Sequence, residues 1–228
     1  MMMSPTGIFV LAAVAMYGVV FALLLRQCRK PSRVLGRLFL SLMKRMHAGV
    51  TAWGLSHVHI APGVAVLDVG CGGGHTLATF ANNAPDVAVF GVDYSAESVA
   101  TARRINASSI MQGRVTVEQA CVSQLPFAAA TFDLVTAVET HYYWPNLSSD
   151  VQEIWRVLRP GGRVALIAAT YRGRDFDFPF RLSMALVRGQ YLTASAHRAL
   201  LATNGFVDVE VHTEPSKGWL CAVGSRPA

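Results

Sequence analysis

Glycines and acids at the ends of two apolar runs have the spacing most indicative of chemistry. Asp68 closes an apolar run that predicts a buried strand, and Gly70, Gly72 and Gly74 follow before apolar residues resume at helical spacing. Glycines at such a turn let the backbone lie against a bound nucleotide-like group. A second apolar run ends at Asp93, roughly the ~20 residues after the glycines at which an acid binds ribose hydroxyls in dinucleotide folds. The pattern predicts a nucleotide-like cofactor at the edge of an α/β sheet.

The glycine pattern leaves two cofactors open, a nicotinamide or flavin dinucleotide and S-adenosylmethionine (SAM). The dinucleotide fingerprint needs G-x-G-x-x-G, but His75 stands where its third glycine would fall. The order Asp68-x-Gly70-x-Gly72-x-Gly74 resembles motif I of the class I SAM-dependent methyltransferases. Later motifs of that family resemble, in order, residues 89–95, 125–127 with 131–135, and 157–164. The similarity spans residues 63 to 169 and points to the small-molecule branch that includes the quinone C-methyltransferases.

The resemblance implies SAM as the cofactor, no metal, and a set of contacts carried over residue by residue. Motif I would shape the methionine side of the site, and the end of the second strand would bind the ribose. Cys121 stands where the family usually has an acid for the adenine amine, so the backbone N–H of Val122 is the expected contact there. The implied cofactor-binding residues are Asp68, Gly70, Cys71, Gly72, Gly74, Asp93, Tyr94, Cys121 and Val122.

The elements that must position these residues follow from the same resemblance. It implies a Rossmann-like α/β fold with a seven-stranded, mostly parallel sheet, helices on both faces and a C-terminal antiparallel strand. Residues 207–213 and 219–224 predict two strands with a short connection, hence an antiparallel pair at the sheet edge. Residues 171–191 depart from regular pattern, which fits a second lid, a substrate-specific insertion or an amphipathic helix over the pocket.

Candidate catalytic residues follow the fourth predicted strand, residues 132–138. Glu139, His141 and Tyr142 stand at the carboxyl edge of the sheet, where open α/β sheets hold ligands. Glu139 or His141 could accept a proton from a substrate nucleophile. Tyr143 and Trp144 could enclose an apolar substrate or attract the sulfonium through their rings. The alternative is that this aromatic cluster packs as core.

The segment 26–61 is basic and precedes the first strand. Apolar residues recur there at helical spacing with arginines and lysines between them, as in an amphipathic helix on anionic headgroups. A helix packed on the catalytic domain with its charges in solvent is the alternative. In the methyltransferases that this chain resembles, the segment before motif I often folds over the cofactor, so His47 and Trp53 are candidate lid residues. Core packing of Trp53 and exposure of His47 is the other interpretation.

The first 25 residues contain no charged side chain, and residues 7–25 form a mostly apolar stretch. Nineteen residues make about 28 Å of helix, which is enough to span a bilayer. A signal peptide would need a basic region before the apolar run, whereas here the basic residues come after it. Residues 1–25 are therefore predicted to form a transmembrane anchor, with a buried hydrophobic arm or a signal peptide as the alternatives, and the basic flank places the following residues in the cytoplasm.

The 228 residues allow one α/β domain, predicted at residues 62–228, with an appendage. The net charge of +6 is concentrated before the domain without aromatic interleaving, which argues against nucleic-acid binding. Four widely spaced cysteines indicate neither a disulfide framework nor a zinc site. We expect a membrane-tethered SAM-dependent methyltransferase acting on a small, lipophilic acceptor through O, N, S or C. A soluble metabolite as acceptor, or a catalytically silent SAM-binding membrane module, is the alternative.

Overall fold

The computed structural model of the chain describes residues 33–84, 86–175 and 177–228, together with Met16. The helices are α1 (Arg33–Leu55), α2 (His75–Asn83), α3 (Ala96–Ile105), α4 (Ala107–Met111), α5 (Leu147–Val157), α6 (Phe178–Leu186) and α7 (Ala194–Thr203). The strands are β1 (Ala65–Val69), β2 (Ala88–Asp93), β3 (Val115–Gln119), β4 (Phe132–Val138), β5 (Leu158–Ala168), β6 (Val207–Glu214) and β7 (Trp219–Ser225). A 3₁₀ turn at His141–Tyr143 follows β4.

All seven strands form one sheet in the order β3-β2-β1-β4-β5-β7-β6. Strands β1 to β5 pair in parallel, and β7 runs antiparallel to both of its neighbours. The predicted Rossmann-like architecture and C-terminal antiparallel strand are confirmed. The strand order reverses between β1 and β4, and open α/β sheets bind ligands at the carboxyl ends of the strands at this switch point.

Apolar side chains cover the sheet on both faces, as a largely parallel sheet requires. One buried cluster includes Phe132 and Leu166, and the other includes Phe80 and Ile167. Helix α1 packs against the second cluster, where Val50 is fully buried. A Cβ at Gly54 would lie 2.6 Å from the Ile167 side chain, so the glycine allows this close contact between α1 and the sheet. The packing fixes α1 beside the carboxyl ends of the strands.

Some element boundaries differ from those expected. Strand β5 begins at Leu158, earlier than the predicted start at Arg163. The turn that contains Gly161 is part of the strand, and a β-bulge shifts the register with β4 there. The backbone of Gly161 and Gly162 pairs with Arg226, so the turn continues the sheet. Residues 171–191, for which a second lid, a substrate-specific insertion and an amphipathic helix were all open, contain α6.

Among the residues that the structure describes, no helix combines the length and the apolar character needed to cross a membrane. The predicted anchor, residues 1–25, lies outside the described residues apart from Met16. Residues 33–55 of the predicted 26–61 segment form α1.

Candidate active site

A cavity of about 560 Å³ opens at the carboxyl ends of β1, β2 and β4, with α1 along one side. The glycine loop between β1 and α2 forms its polar wall. The opposite wall is formed by α1 and by the residues that follow β4. The described residues that line it and carry the argument below are Leu40, Met43, His47, Thr51, Asp68, Gly70, Cys71, Gly72, Asp93, Tyr94, Cys121, Val122, Glu139, Thr140, Tyr143 and Trp144.

The glycine loop has the backbone that its sequence predicts. Gly70 and Gly72 have φ values of +74° and +52°, which favour glycine. The N–H groups of Gly70 and Cys71 donate to the Val92 carbonyl at 2.8 and 2.9 Å, which ties the loop to β2. A Cβ at Gly70 would lie 2.1 Å from the Thr140 hydroxyl oxygen, whereas at Gly72 it would face open space with only Leu40 at 3.8 Å. These hydrogen bonds hold the loop against β2, and the loop backbone is open to an approaching ligand at Gly72.

Gly74 has a different role from the one predicted, because it does not line the cavity. It precedes α2 with φ +77°, and its carbonyl accepts a hydrogen bond from the Asn106 amide at 2.9 Å. A Cβ there would lie 2.8 Å from the Cα of Ala102 in α3. The absence of a side chain thus serves the packing of α2 on α3 and not a direct ligand contact.

Asp93 ends β2 at the cavity, with each carboxylate oxygen accepting one backbone N–H. The donors are Gly72 at 2.9 Å and Ser95 at 2.8 Å. Burial raises the pKa of Asp93, and these two hydrogen bonds partly offset the rise. Since an ionised carboxylate has about four lone-pair sites, each oxygen can still accept from a vicinal diol such as that of a ribose. Asp93 therefore fits the predicted ribose contact.

Asp68 is the second-last residue of β1, is buried, and accepts a hydrogen bond from the Thr136 hydroxyl at 2.7 Å. Burial raises the pKa of this carboxyl to about 7, and the charge of Asp93 adds to the rise. Among the residues that the structure describes, Asp68 has no cationic partner. A buried acid of this kind beside the glycine loop is suited to an incoming ammonium group, which would favour its ionised form. Such a group is present in the methionine moiety of SAM.

At the predicted adenine side, Cys121 and Val122 both line the cavity, as does Tyr94. Cys121 is exposed and its Sγ lies 3.7 Å from the Ser123 hydroxyl. The Cys121 thiol provides no carboxylate for the adenine amine. The adenine contact assigned to the backbone N–H of Val122 stays a prediction.

Glu139 has a strained backbone and a buried carboxylate at the end of β4. Its φ of +59° is rare for a residue with a side chain, and such strain concentrates at functional sites. One carboxylate oxygen accepts from the Ala169 N–H, and the other lies 3.6 Å from the His47 Nε2 on α1. Burial raises the pKa of Glu139, and the neighbouring His47 and Tyr142 partly offset it. Glu139 and His47 thus form an acid–imidazole pair in the cavity wall.

His141 and Tyr142, predicted beside Glu139 as catalytic candidates, do not line the cavity. His141 is fully buried, and its Nε2 lies 3.0 Å from that of His197. The His197 Nδ1 donates to the Thr193 carbonyl at 2.8 Å, so in the neutral pair His141 donates to His197. Burial lowers the pKa of both rings. Tyr142 is buried in the apolar core. Both residues therefore lie in the core behind the cavity wall.

The predicted lid and substrate residues are likewise divided between the cavity wall and the core. His47, Tyr143 and Trp144 line the cavity. Trp53 does not, because its ring packs against His57 and Trp219. The core interpretation is the one that the structure supports for Trp53.

Sequence reasoning missed further residues of the apolar wall. Leu40, Met43 and Thr51 line the cavity together with His47. Their spacing of three or four residues places them on one face of α1, and this spacing was the available signal. Met46, one of the apolar residues at helical spacing in segment 26–61, is mainly exposed.

Comparisons with known proteins agree with this geometry. Residues 66–162 match a family model described as a methyltransferase domain. The demethylmenaquinone methyltransferase of Symbiobacterium thermophilum is 37% identical over 117 residues, which are 51% of this chain and 47% of that protein. The ubiquinone/menaquinone biosynthesis C-methyltransferase of Geobacter sulfurreducens is 35% identical over 144 residues, 60% of this chain and 56% of that protein. The chain spans about half the length of the curated relatives it matches.

Among solved structures, the fold is similar to that of Haemonchus contortus phosphoethanolamine N-methyltransferase 2 in complex with phosphomonomethylethanolamine and S-adenosylhomocysteine. The TM-score is 0.74 at 15% identity, and the match covers 85% of this chain and 58% of that one. The chain thus has a methyltransferase-like fold, and residues 66–162 match the model of a methyltransferase domain. The match over residues 66–162 agrees with the predicted enzyme class and with SAM as its cofactor.

Proposed function

We propose that the protein transfers the methyl group of SAM to a small, lipophilic acceptor. We further propose that residues 1–25 tether it to a membrane with the catalytic domain on the cytoplasmic side. The observation that carries the proposal is that one cavity combines a polar glycine-loop wall with an apolar and aromatic wall. Leu40, Met43, Tyr143 and Trp144 contribute to that second wall. Apolar walls with a few placed polar groups are typical of sites for small ligands.

When bound, SAM supplies an electrophilic methyl group. The residues of this chain hold and orient the reactants, which can contribute up to ~7–11 kcal/mol when the reacting atoms are aligned. Asp93 and the glycine loop would hold the adenosyl part, and Asp68 the ammonium end. The Glu139–His47 pair, which lines the cavity, can accept a proton from the acceptor.

Two further features support a lipophilic acceptor at a membrane. The names of the relatives from Symbiobacterium thermophilum and Geobacter sulfurreducens include quinone methyl acceptors. Residues 1–25 of this chain are apolar and are followed by basic residues, which is the charge order expected for an anchor with its following domain in the cytoplasm.

The test is methyl transfer by the full-length protein in phospholipid nanodiscs, using SAM with a radiolabelled methyl group. A lipid extract and a water-soluble metabolite extract are offered in parallel, and formation of S-adenosylhomocysteine is measured with the label in each phase. We expect label in the organic phase, and none with Asp93→Ala, which serves as the cofactor-binding control. Label confined to the aqueous phase would favour a soluble acceptor. SAM binding without turnover in either extract would favour a silent module.

Membrane tethering is tested separately by alkaline carbonate extraction. The full-length protein should stay in the membrane fraction, and the chain without residues 1–25 should be released. Release of both forms would contradict the anchor.

A further inference from the structure

Helix α6 presents its apolar residues outward. Phe178, Leu182 and Leu186 are 72%, 55% and 55% exposed. They are four residues apart, so they form one continuous stripe along the helix. Helices on the surface of a soluble domain usually show polar side chains on this face. The outer face of α6 is therefore apolar where a polar face is usual. We call Phe178, Leu182 and Leu186 the α6 stripe.

The orientation of α6 is fixed by contacts on its inner face. Met184 is buried in the apolar cluster that also contains Tyr142 and Trp144. Just after the helix, the Gln190 N–H donates to the Tyr142 carbonyl at 2.7 Å. Rotating the helix to bury the stripe would expose Met184 and break this attachment. The stripe is thus held outward by the packing of the domain.

Basic side chains flank the stripe. Arg172, Arg181 and Arg188 are exposed, and the Arg174 guanidinium lies 4.9 Å from the centre of the Phe180 ring. Within the part of the chain that the structure describes, none of these four arginines belongs to an ion pair. Of the two acids in the segment, Asp175 is exposed, and Asp177 accepts the Gly173 N–H at 3.0 Å. An apolar stripe flanked by arginines complements an anionic lipid surface.

The position of the stripe relates it to the cavity. Trp144 contacts the cluster that holds the inner face of α6 and also lines the cavity. The stripe and the apolar wall of the cavity are therefore connected through one buried cluster. In a two-fold dimer through the stripe, the same arginines of both copies would face each other, which disfavours a second copy as the occupant.

We propose that the α6 stripe docks on an anionic lipid bilayer and brings the apolar wall of the cavity close to the acyl chains. This inference rests on the proposed lipophilic acceptor and goes beyond it. It assigns a second membrane contact, separate from residues 1–25, which sets the orientation of the domain on the membrane. The predicted anchor limits the distance to the bilayer but does not orient the domain.

The test uses the full-length protein with a local probe, because residues 1–25 would hold every variant to the vesicles. Cys28 and Cys121 are replaced by serine, while Cys71 and Cys221 are buried and are kept. A single cysteine is introduced by Leu182→Cys and labelled with an environment-sensitive fluorophore. The matched control is Met111→Cys at the end of α4, where the side chain is 84% exposed. Vesicles contain phosphatidylcholine with or without phosphatidylglycerol, and nitroxide-labelled acyl chains serve as quenchers.

We expect strong quenching and a blue-shifted emission at position 182 in phosphatidylglycerol vesicles, with little quenching at position 111. Replacing Arg181 and Arg188 by glutamine should weaken docking by about fivefold for each arginine, since each contributes about 1 kcal/mol near an anionic surface. A label at position 182 that the acyl nitroxides do not quench would overturn the proposal, whether water or protein surrounds it.

Formation of S-adenosylhomocysteine by the unmodified protein separates this inference from the proposed function. Methylation of a lipophilic acceptor without quenching at position 182 would overturn the docking surface alone. Quenching at position 182 without methylation would support the docking surface and contradict the proposed acceptor.

Discussion

Replacing Glu139 by glutamine tests the acid–imidazole pair directly, since it removes one charge and keeps the shape of the side chain. The amide oxygen can still accept the Ala169 N–H, whereas the attraction to His47 across 3.6 Å is lost. A positioned proton acceptor contributes about 10²–10⁴-fold to a rate. We expect kcat to fall by at least about 100-fold, the lower end of that range. The KM for SAM should stay within a factor of about two, because Glu139 lies on the acceptor side of the cavity.

The stability of the same variant should change in the opposite direction. Burial raises the pKa of Glu139, which means that the folded state disfavours its charged form more than His47 compensates. Glutamine has no charge to bury, so the free energy of unfolding at neutral pH should stay the same or rise. Thermal unfolding of the full-length protein in detergent measures this.

Glu153→Gln is the matched control. Glu153 lies on α5, where Arg156 at 2.7 Å lowers the pKa of its carboxyl. This carboxylate also accepts the Leu125 N–H at 2.8 Å and does not line the cavity. Glutamine here should lower the free energy of unfolding by about 1 kcal/mol and leave kcat unchanged. If Glu139→Gln keeps kcat within about threefold of the original value, the Glu139–His47 pair is not a proton acceptor. The same conclusion follows if Glu153→Gln lowers kcat as much as Glu139→Gln does.

Three further changes test the cofactor side. Asp93→Ala removes the acceptor of two backbone N–H groups and the expected ribose contact. Calorimetric titration should therefore show the affinity for SAM lowered by at least about tenfold. An unchanged affinity would refute the placement of the ribose at Asp93. Gly74→Ala places a Cβ 2.8 Å from the Ala102 Cα, whereas Gly113→Ala, at the similar φ of +71°, meets nothing within 4 Å. Chemical denaturation should therefore show a loss of about 1 kcal/mol from strain for Gly113→Ala and a clearly larger loss for Gly74→Ala; equal losses would show that α2 does not need this contact. Because burial raises the folded-state pKa of Asp68 to about 7, its contribution to the free energy of unfolding is greatest at low pH and is lost as the pH rises to about 7. Burial also raises the pKa of Asp93 and Glu139, so Asp68→Asn should make the overall decline shallower; an unchanged slope would assign it to those other groups.

Local backbone requirements explain why the glycine loop was predictable. A strand that ends in an acid and turns into a helix needs positive φ at defined positions, and only glycine meets this without strain. Gly70 and Gly72 satisfy the requirement within a few residues of chain. Asp93 was predictable for a similar reason, because neighbouring parallel strands end at the same edge of the sheet.

Side-chain direction after β4 could not be read in the same way. Glu139, His141, Tyr142, Tyr143 and Trp144 are nearly consecutive, yet the structure divides them between the cavity and the core. A 3₁₀ turn has three residues per turn, so successive side chains point about 120° apart. Which of them faces the cavity depends on how the turn packs, and the buried contact between His141 and His197 settles that.

The sequence by itself determined the sheet, the glycine loop and the acids at its edge, because these depend on local apolar patterns and backbone conformation. Only the tertiary structure decided that α1 brings His47 to Glu139, that Gly74 serves helix packing, and that α6 turns apolar side chains outward. Each of these depends on contacts between residues far apart in the chain. Such contacts arise when helices pack on the sheet, and no local pattern encodes their geometry.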